Sequence, residues 1–286
     1  MKRLLKRLLP LLLTSDLIWN LVRGRTIPGI VTARRKVVTR RLIRRFEAPH
    51  VVLSGPFKGL VYPTRTSAGS ALVPKLLGTY ESELHAAIAD MAGVDFSAIV
   101  DIGCAEGYYA VGLARLWPRA RVLAYDVSER ARRLCTEMAR ANHIPRVEIR
   151  GLCDRGQLLQ LARGRANLIL SDCEGYEREL FNLEVVQQLR SSYFIVELHD
   201  HIDPLISRTL RALFQPTHSV TLVGTVDERT KADQYDFPLL RGYDRFEREV
   251  AFAENRGTAM QWLIAFPRTA PAPDRRHPSR LSSSHA

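Results

Sequence analysis

The sequence predicts an α/β fold: a seven-stranded, largely parallel sheet with helices on both faces, preceded by a basic helical arm and a small β-hairpin. Three observations predict it. From Ala98 onward, short apolar runs alternate with helical segments, the pattern of βαβ units. One of these runs, Ile99–Ile102, opens straight into a turn with two glycines, Gly103 and Gly107, ahead of a helical stretch. Hydrophobic residues make up 46% of the 286, enough for a packed core, and no repeat of solenoid or propeller length is present.

Residues 1–46 read as the basic arm. Leu4, Leu5, Leu8, Leu11 and Leu12 follow helical spacing between basic residues, and a second short piece starts near Ser15 or Asp16, with Leu17, Ile18, Leu21 and Val22 on its apolar side. The apolar run Leu8–Leu13 is too short to span a membrane and contains Pro10, and no small-residue cleavage site follows it. Arg34, Arg35, Lys36, Arg40, Arg41, Arg44 and Arg45 predict a helix with a solvated basic face. Residues 47–92 form an accessory segment. Val51–Tyr62 is the hairpin, with Ser54-Gly55-Pro56 at its turn; 64–80 is a loop; a helix runs from Thr79 or Tyr80 to about Ala92.

The main domain spans 93–267. Its strands are Ile99–Ile102, Arg121–Tyr125, Val147–Arg150, Asn167–Ser171, Tyr193–Leu198, Val220–Gly224 and Gln261–Phe266. Helices follow the glycine turn as far as Trp117, start at a Ser128 cap and run to about Asn142, and cover Tyr176–Leu189 and Pro204–Leu213. Residues 268–286, rich in Pro, Ser, Arg and Ala, are predicted to stay unfolded.

The net charge of +12 is placed at the ends. Residues 1–50 carry +11 and 268–286 carry +3, while 51–267 carry −2. A nucleic-acid enzyme would concentrate positive charge on its binding domain, so no nucleic-acid partner is expected. Two readings of the arm stay open: peripheral contact with an anionic membrane through residues 1–46, or a helix packed on the protein's own surface or a partly disordered basic arm. The four cysteines, Cys104, Cys135, Cys153 and Cys173, form no CxxC pair, which gives zinc no support and fits a reducing, cytoplasmic compartment.

The sharpest chemical signal is Asp101-Ile102-Gly103-Cys104-Ala105-Glu106-Gly107-Tyr108-Tyr109. Gly103 permits the tight turn and lets a ligand approach the backbone; Gly107 lets the helix start pack close to the strand. The spacing differs from the G-x-G-x-x-G that cradles a pyrophosphate, and an acid leads it. Asp101 suits a cationic group such as the amino group of S-adenosyl-L-methionine (SAM), with Gly103, Cys104, Gly107 and Tyr108 in the same cradle. Asp126, 25 residues on and at the end of the second strand, suits ribose hydroxyls. Cys153 and Asp154 follow the third strand, where adenine is expected.

Two acidic clusters end the next strands: Asp172-Cys173-Glu174-Gly175-Tyr176-Glu177, and Glu197-Leu198-His199-Asp200-His201. The carboxyl ends of parallel strands line the ligand crevice, so both clusters should face it. Glu197, His199 and His201 share a face if the strand continues, and would converge with Asp172 and Glu174. Such a set can remove a proton from an acceptor hydroxyl, with His199 as the base of nearest-neutral pKa and Glu197 and Asp172 beside it. Alternatively Asp172, Glu174 and His199 can hold a divalent cation such as magnesium. Asp233–Asp236 and Asn255–Trp262 are candidate loops over an acceptor pocket, with Tyr235 and Trp262 either stacking on a sugar or packing into the core.

Three blocks resemble the FkbM-type branch of class I SAM-dependent methyltransferases: DIGCAEGYY at 101–109, LILSDCEGYERELF at 168–181 and FIVELHD at 194–200. The resemblance covers roughly 98–200. It departs from the family at Ala105, where Asn is common, and at Asp126-Val127, where Glu-Pro is common. It implies a Rossmann-like methyltransferase sheet, SAM contacts at Asp101, Gly103, Gly107 and Asp126, and O-methylation of a small-molecule or glycan acceptor such as a sugar, lipid-linked saccharide or secondary metabolite. It matches Asp172, Glu174 and Glu197 to family positions without assigning their roles. The competing readings are a nicotinamide-dependent oxidoreductase, a non-catalytic relative that binds membrane or a partner through its arm, and a nucleic-acid methyltransferase. The last lacks its Asn/Asp-Pro-Pro-aromatic motif after the fourth strand, where Asp-Cys-Glu-Gly stands.

Overall fold

The computed structural model describes residues 28–161 and 165–268. The leucine-rich helix and the Ser15–Val22 piece expected within 1–27, and nearly all of the tail expected at 268–286, lie outside the described residues. Among the described residues, no helix is long and apolar enough to cross a membrane.

The chain divides into two compact units. In the first, residues 28–48 join Asp227–Glu254, a segment the sequence placed inside the 93–267 domain. Helix α1 (Pro28–Arg45) makes its contacts there. Its basic face is only partly solvated: Arg34 is buried in a 2.7 Å ion pair with Glu247, and Arg41 and Arg45 lie over the Tyr243 ring. A buried arginine needs such a partner, and the matching acid is some two hundred residues away in sequence. The rest of this unit comprises the Asp227-capped helix that begins at Glu228, and the helix Arg245–Phe252, started by a capping box between Asp244 and Glu247.

The second unit, 49–226 with 255–268, carries the sheet. It opens with a hairpin of two short strands, β1 (His50–Val51) and β2 (Val61–Tyr62), paired antiparallel. Residues 64–80 are not all loop: α2 (Leu72–Leu77) forms there, with all six residues buried. One and a half turns is too short for periodicity to reveal. A 3₁₀ turn at Ser82–Leu84 leads into α3 (His85–Asp90).

The main sheet is built from β3 (Ala98–Ile102), β4 (Arg121–Tyr125), β5 (Val147–Arg150), β6 (Asn167–Ser171), β7 (Tyr193–Leu198), β8 (His218–Gly224) and β9 (Gln261–Pro267). Their order is β5-β4-β3-β6-β7-β9-β8; β9 runs antiparallel to both of its neighbours, and the other pairs are parallel. Strands β3, β6 and β7 are buried throughout, as their predominantly apolar runs require of a sheet covered on both faces. Val100, Ile102, Ile169, Phe194 and Val196 join one core cluster with Val185, Leu210 and Phe214. The intervening residues Ile99, Val122, Leu168 and Ile195 are as deeply buried and point the other way, toward the face that α4 (Tyr108–Leu116) covers.

Helix α5 (Glu129–Ala141) starts at the expected Ser128 cap, whose Oγ accepts the Ala131 N–H at 3.3 Å. The single helix expected over Tyr176–Leu189 is two: α6 (Glu177–Leu180) and α7 (Leu183–Gln188). Phe181 takes extended backbone and packs edge-on against Phe194 and Phe214, while Asn182 restarts the helix by accepting the Val185 N–H.

Candidate functional site

The chain reverses its direction of growth across the sheet at β3, with β4 on one side and β6 on the other. A crevice therefore opens beyond the carboxyl ends of these strands. A cavity of about 580 Å³ lies there, within the usual range of small-molecule sites. Its wall includes Asp101, Gly103, Cys104, Tyr108, Asp126 and Asp172.

Asp101 is 1% exposed, and neither carboxylate oxygen has a hydrogen-bond partner. Burial, only partly offset by the nearby Ala110 backbone N–H and reinforced by the carboxylates of Asp172 and Asp126, pushes its pKa up to about 8. A buried carboxyl group left unsatisfied is costly, and a cationic hydrogen-bond donor would resolve it. The residues thus fit the amino group that the sequence assigned to Asp101.

Gly103 is required for a reason other than ligand approach. Its φ is +84°, and a Cβ there would stand 1.7 Å from the Asp172 carbonyl oxygen. The turn after β3 and the turn after β6 are in backbone contact, tied also by the Asp172 N–H to the Ile102 carbonyl at 2.8 Å. Gly107 likewise makes room for α5 rather than for a strand: its Cβ would meet the Cys135 sulfur at 2.8 Å. It lies outside the cavity wall, whereas Tyr108 lines it while packing edge-on against Phe57 and Tyr80. All four cysteines are free thiols.

Asp126 ends β4 and lines the cavity, as expected. One oxygen accepts the Ala105 N–H at 2.9 Å and the other the Ser128 N–H at 2.8 Å, so this acid also holds the glycine turn in place. Each oxygen keeps a further lone pair for a hydroxyl donor. Asp154 stands apart from the wall. Its side chain caps the helix Arg155–Leu159 in a capping box with Gln157, and Gly151, Leu152 and Cys153 line the cavity instead. A side-chain oxygen on the residue immediately before a helical run serves the helix's free N–H groups first.

The second cluster gathers around His199, which is 2% exposed. Its Nδ1 lies 2.6 Å from Glu177 Oε1. Its Nε2 faces three carboxylates: Asp172 at 3.4 Å, Glu197 at 3.6 Å and Glu174 at 3.7 Å. Burial opposes charge on the ring, but Asp172 and Glu177 outweigh it and lift its pKa to about 10. As an imidazolium the ring has no lone pair to offer, so the general-base role expected for a near-neutral histidine does not suit it in this state. Burial and the neighbouring Asp172 push Glu197 up to about 9, while Asp172 is held below its ordinary value by His199. β7 ends at Leu198 and the chain turns, so His201 is exposed at the edge of this set, its ring centroid 5.7 Å from that of His199.

Several site residues carry no pattern in the sequence. Glu81 is buried at φ +48°, accepts the Tyr109 hydroxyl at 2.5 Å and pairs with Arg256, which also pairs with Glu197. Arg256 comes from the Asn255–Trp262 segment expected to cover the pocket. Trp262 in that segment is a fully buried residue of β9 and does not line the cavity, and Tyr235 stacks on Phe237 within its own unit. Lys75 and Glu106 form a buried 2.6 Å ion pair, and Glu106 also accepts the Ser67 hydroxyl and the Ala68 N–H. That network fastens the 64–70 loop beside the cavity. Glu106 stands inside the glycine motif, but only its long-range partners reveal its use.

Strand order and topology make this fold the Rossmann-like, seven-stranded methyltransferase sheet. No family model matches the chain, and no curated protein does. Among solved structures it is similar to a precorrin-6y C5,15-methyltransferase from Geobacter metallireducens, at 12% identity and TM-score 0.44, over 63% of this chain and 87% of that one. It is also similar to the O-methyltransferase TomG from Streptomyces achromogenes, solved with SAM, at 14% identity and TM-score 0.45, over 66% and 81%. At those levels the likenesses say nothing of this chain's substrate.

Proposed function

We propose that this chain is a SAM-dependent methyltransferase of the FkbM type, methylating a hydroxyl of a sugar, glycan, lipid-linked saccharide or secondary metabolite. One observation carries the reading: the buried, unpartnered carboxylate of Asp101 in the wall of a ligand-sized cavity at the sheet's switch point. SAM supplies a methyl group already activated on a sulfonium. Asp101 would hold the amino group, Asp126 the ribose hydroxyls, and Leu152 and Cys153 the adenine edge. Asp172 and Glu174, also in the cavity wall, sit on the β6 side, where an acceptor hydroxyl can be oriented. A divalent cation such as magnesium, on Asp172, Glu174 and His199, belongs to the same reading; it would have to displace the Nε2 proton of the imidazolium to gain a lone pair.

The nicotinamide alternative fits less well. Asp126, Asp172 and Glu174 in one wall repel a pyrophosphate, and the turn lacks the spacing that would cradle one. Calorimetry separates the readings: S-adenosylhomocysteine binds with micromolar affinity and NAD does not. Binding of NAD in preference to S-adenosylhomocysteine would end the proposal. Binding without turnover across a panel of hydroxylated acceptors would favour the non-catalytic alternative.

The membrane contact through residues 1–46 also belongs to the proposal, for the part that is described. Helix α1 exposes Lys36, Arg40 and Arg44 at four-residue spacing, with no acidic partner among the described residues. Such a ridge suits anionic headgroups. Sedimentation with phosphatidylglycerol vesicles, reduced by salt and absent with phosphatidylcholine, is the expected result.

A further inference from the structure

The rim of the cavity is apolar. Of the seven large apolar side chains that stay exposed among the described residues, five sit on the segments that follow β4, β5, β6 and β7: Val127, Leu152, Tyr176, Ile202 and Leu205. All five therefore lie at the carboxyl ends of parallel strands, where the crevice opens. Val127, Leu152 and Tyr176 belong to the cavity wall itself. Scattered exposed leucines are ordinary, but apolar side chains gathered around a cavity mouth mark a binding surface.

On the β6 and β7 side the rim is fixed in place. Glu174 and Gly175 both take positive φ, +54° and +98°, and turn the chain after β6. A non-glycine residue held in that region is strained, and such strain collects at functional sites. The turn packs on Ile202, whose Cγ2 would lie 3.0 Å from a Cβ built on Gly175. Arg178 pairs with Asp203 and ties the turn after β6 to the turn after β7. Tyr176 and Ile202 are thus carried by two connected turns beside Asp172 and Glu174, and Leu205 follows on the second of them.

Size decides what this surface meets. A cavity of about 580 Å³ takes one ligand as large as SAM. With that ligand inside, only the reacting end of an acceptor fits beside Asp172 and Glu174, and the rest of it must lie across the rim. Ile202 and Leu205 offer a polyol no hydrogen bond, so a sugar laid on them would lose water contacts without replacement. A hydrocarbon laid there removes apolar surface from water on both partners.

We infer that the acceptor is amphipathic: its hydroxyl enters beside Asp172 and Glu174, while an apolar ring or chain lies on Tyr176, Ile202 and Leu205, which select it over a free saccharide. This inference rests on the methyltransferase reading and narrows its acceptor. Tyr176 can stack on a sugar or on a hydrocarbon, so Ile202 and Leu205 carry the selection.

The test is a titration of the full chain, with and without saturating S-adenosylhomocysteine, with methyl β-D-glucoside and n-octyl β-D-glucoside, followed by NMR below the micellar concentration. The two probes share a headgroup and differ only in the apolar part. The octyl glucoside should bind about tenfold or more tightly than the methyl glucoside, as burial of two or more methylenes gives. The double variant Ile202→Gln, Leu205→Gln should lose that advantage. Leu53→Gln, which alters an exposed leucine outside the cavity wall, should keep it. Both variants should retain wild-type thermal unfolding and affinity for S-adenosylhomocysteine. Equal binding of the two glucosides by protein that binds S-adenosylhomocysteine would overturn the inference and leave the cofactor reading standing. An octyl advantage that survives the double variant, or disappears equally in Leu53→Gln, would overturn it as well. An advantage lost only in the double variant, in protein that binds no S-adenosylhomocysteine, would support the apolar rim and end the cofactor reading.

Discussion

The carbonyl oxygen of Asp172 occupies the place where a side chain at position 103 would begin, 1.7 Å from a Cβ built on Gly103. The cofactor-side turn and the acceptor-side turn are therefore one packed unit, and a change in either moves both. Gly103→Ala should cost about 3 kcal/mol or more, because it adds a left-handed alanine to a backbone clash. Urea unfolding measures the loss, and S-adenosylhomocysteine binding should disappear with it. A stable variant that binds normally would show that the turns move independently.

Asp101→Asn should separate binding from folding. Removing an unpaired buried carboxyl group should leave stability unchanged or higher, while a charge-assisted hydrogen bond worth about 1.5–3 kcal/mol is lost to the ligand, roughly 10–100-fold in affinity. The pH dependence follows from a pKa pushed up to about 8. Below pH 8 the free protein carries a protonated Asp101, which must ionise to meet an ammonium group. Binding at pH 7 should then release close to one proton, read by calorimetry in buffers of different ionisation enthalpy, and the variant should release none from this site.

Lys75 and Glu106 should behave as a coupled pair. Glu106→Gln strands the buried ammonium and frees the 64–70 loop, at a cost of about 3–5 kcal/mol. Adding Lys75→Met to that variant should recover part of the loss. Strictly additive losses in the double-mutant cycle would show that the two do not interact.

His218 should make the protein acid-sensitive. It is buried between the Ser192 carbonyl and the Thr217 hydroxyl, and burial lowers its pKa to about 4 from 6.5. Between those values the unfolded chain takes up a proton that the folded one refuses. Stability is therefore complete above about pH 6.5 and is lost as pH falls toward 4, by about 3 kcal/mol. His218→Gln should flatten that slope in thermal unfolding between pH 4 and 6.5.

The strand segments and the glycine turn were legible in the sequence because they rest on local signals. The apolar runs Ile99–Ile102, Asn167–Ser171 and Tyr193–Leu198 mark strands buried on both faces, and Ser128 marks a helix start within four residues. Asp101, Asp126, Asp172 and Glu174 were placed on the cavity by one rule, that strand ends line the crevice. Pairings made by distant parts of the chain were not legible: Arg34 with Glu247, Lys75 with Glu106, and Arg256 with both Glu81 and Glu197.

The sequence by itself determined the α/β alternation, the acid-led turn and the acids at the strand ends, since each follows from backbone periodicity or from neighbours a few residues away. Tertiary structure alone decided which acids are spent internally and which remain for a ligand. Asp154 caps a helix, Glu177 orients His199, and Asp101 keeps both oxygens unpartnered. The physical reason is that a carboxylate's chemistry depends on its burial and on the donors around it, and those donors arrive from strands and loops far away in the chain.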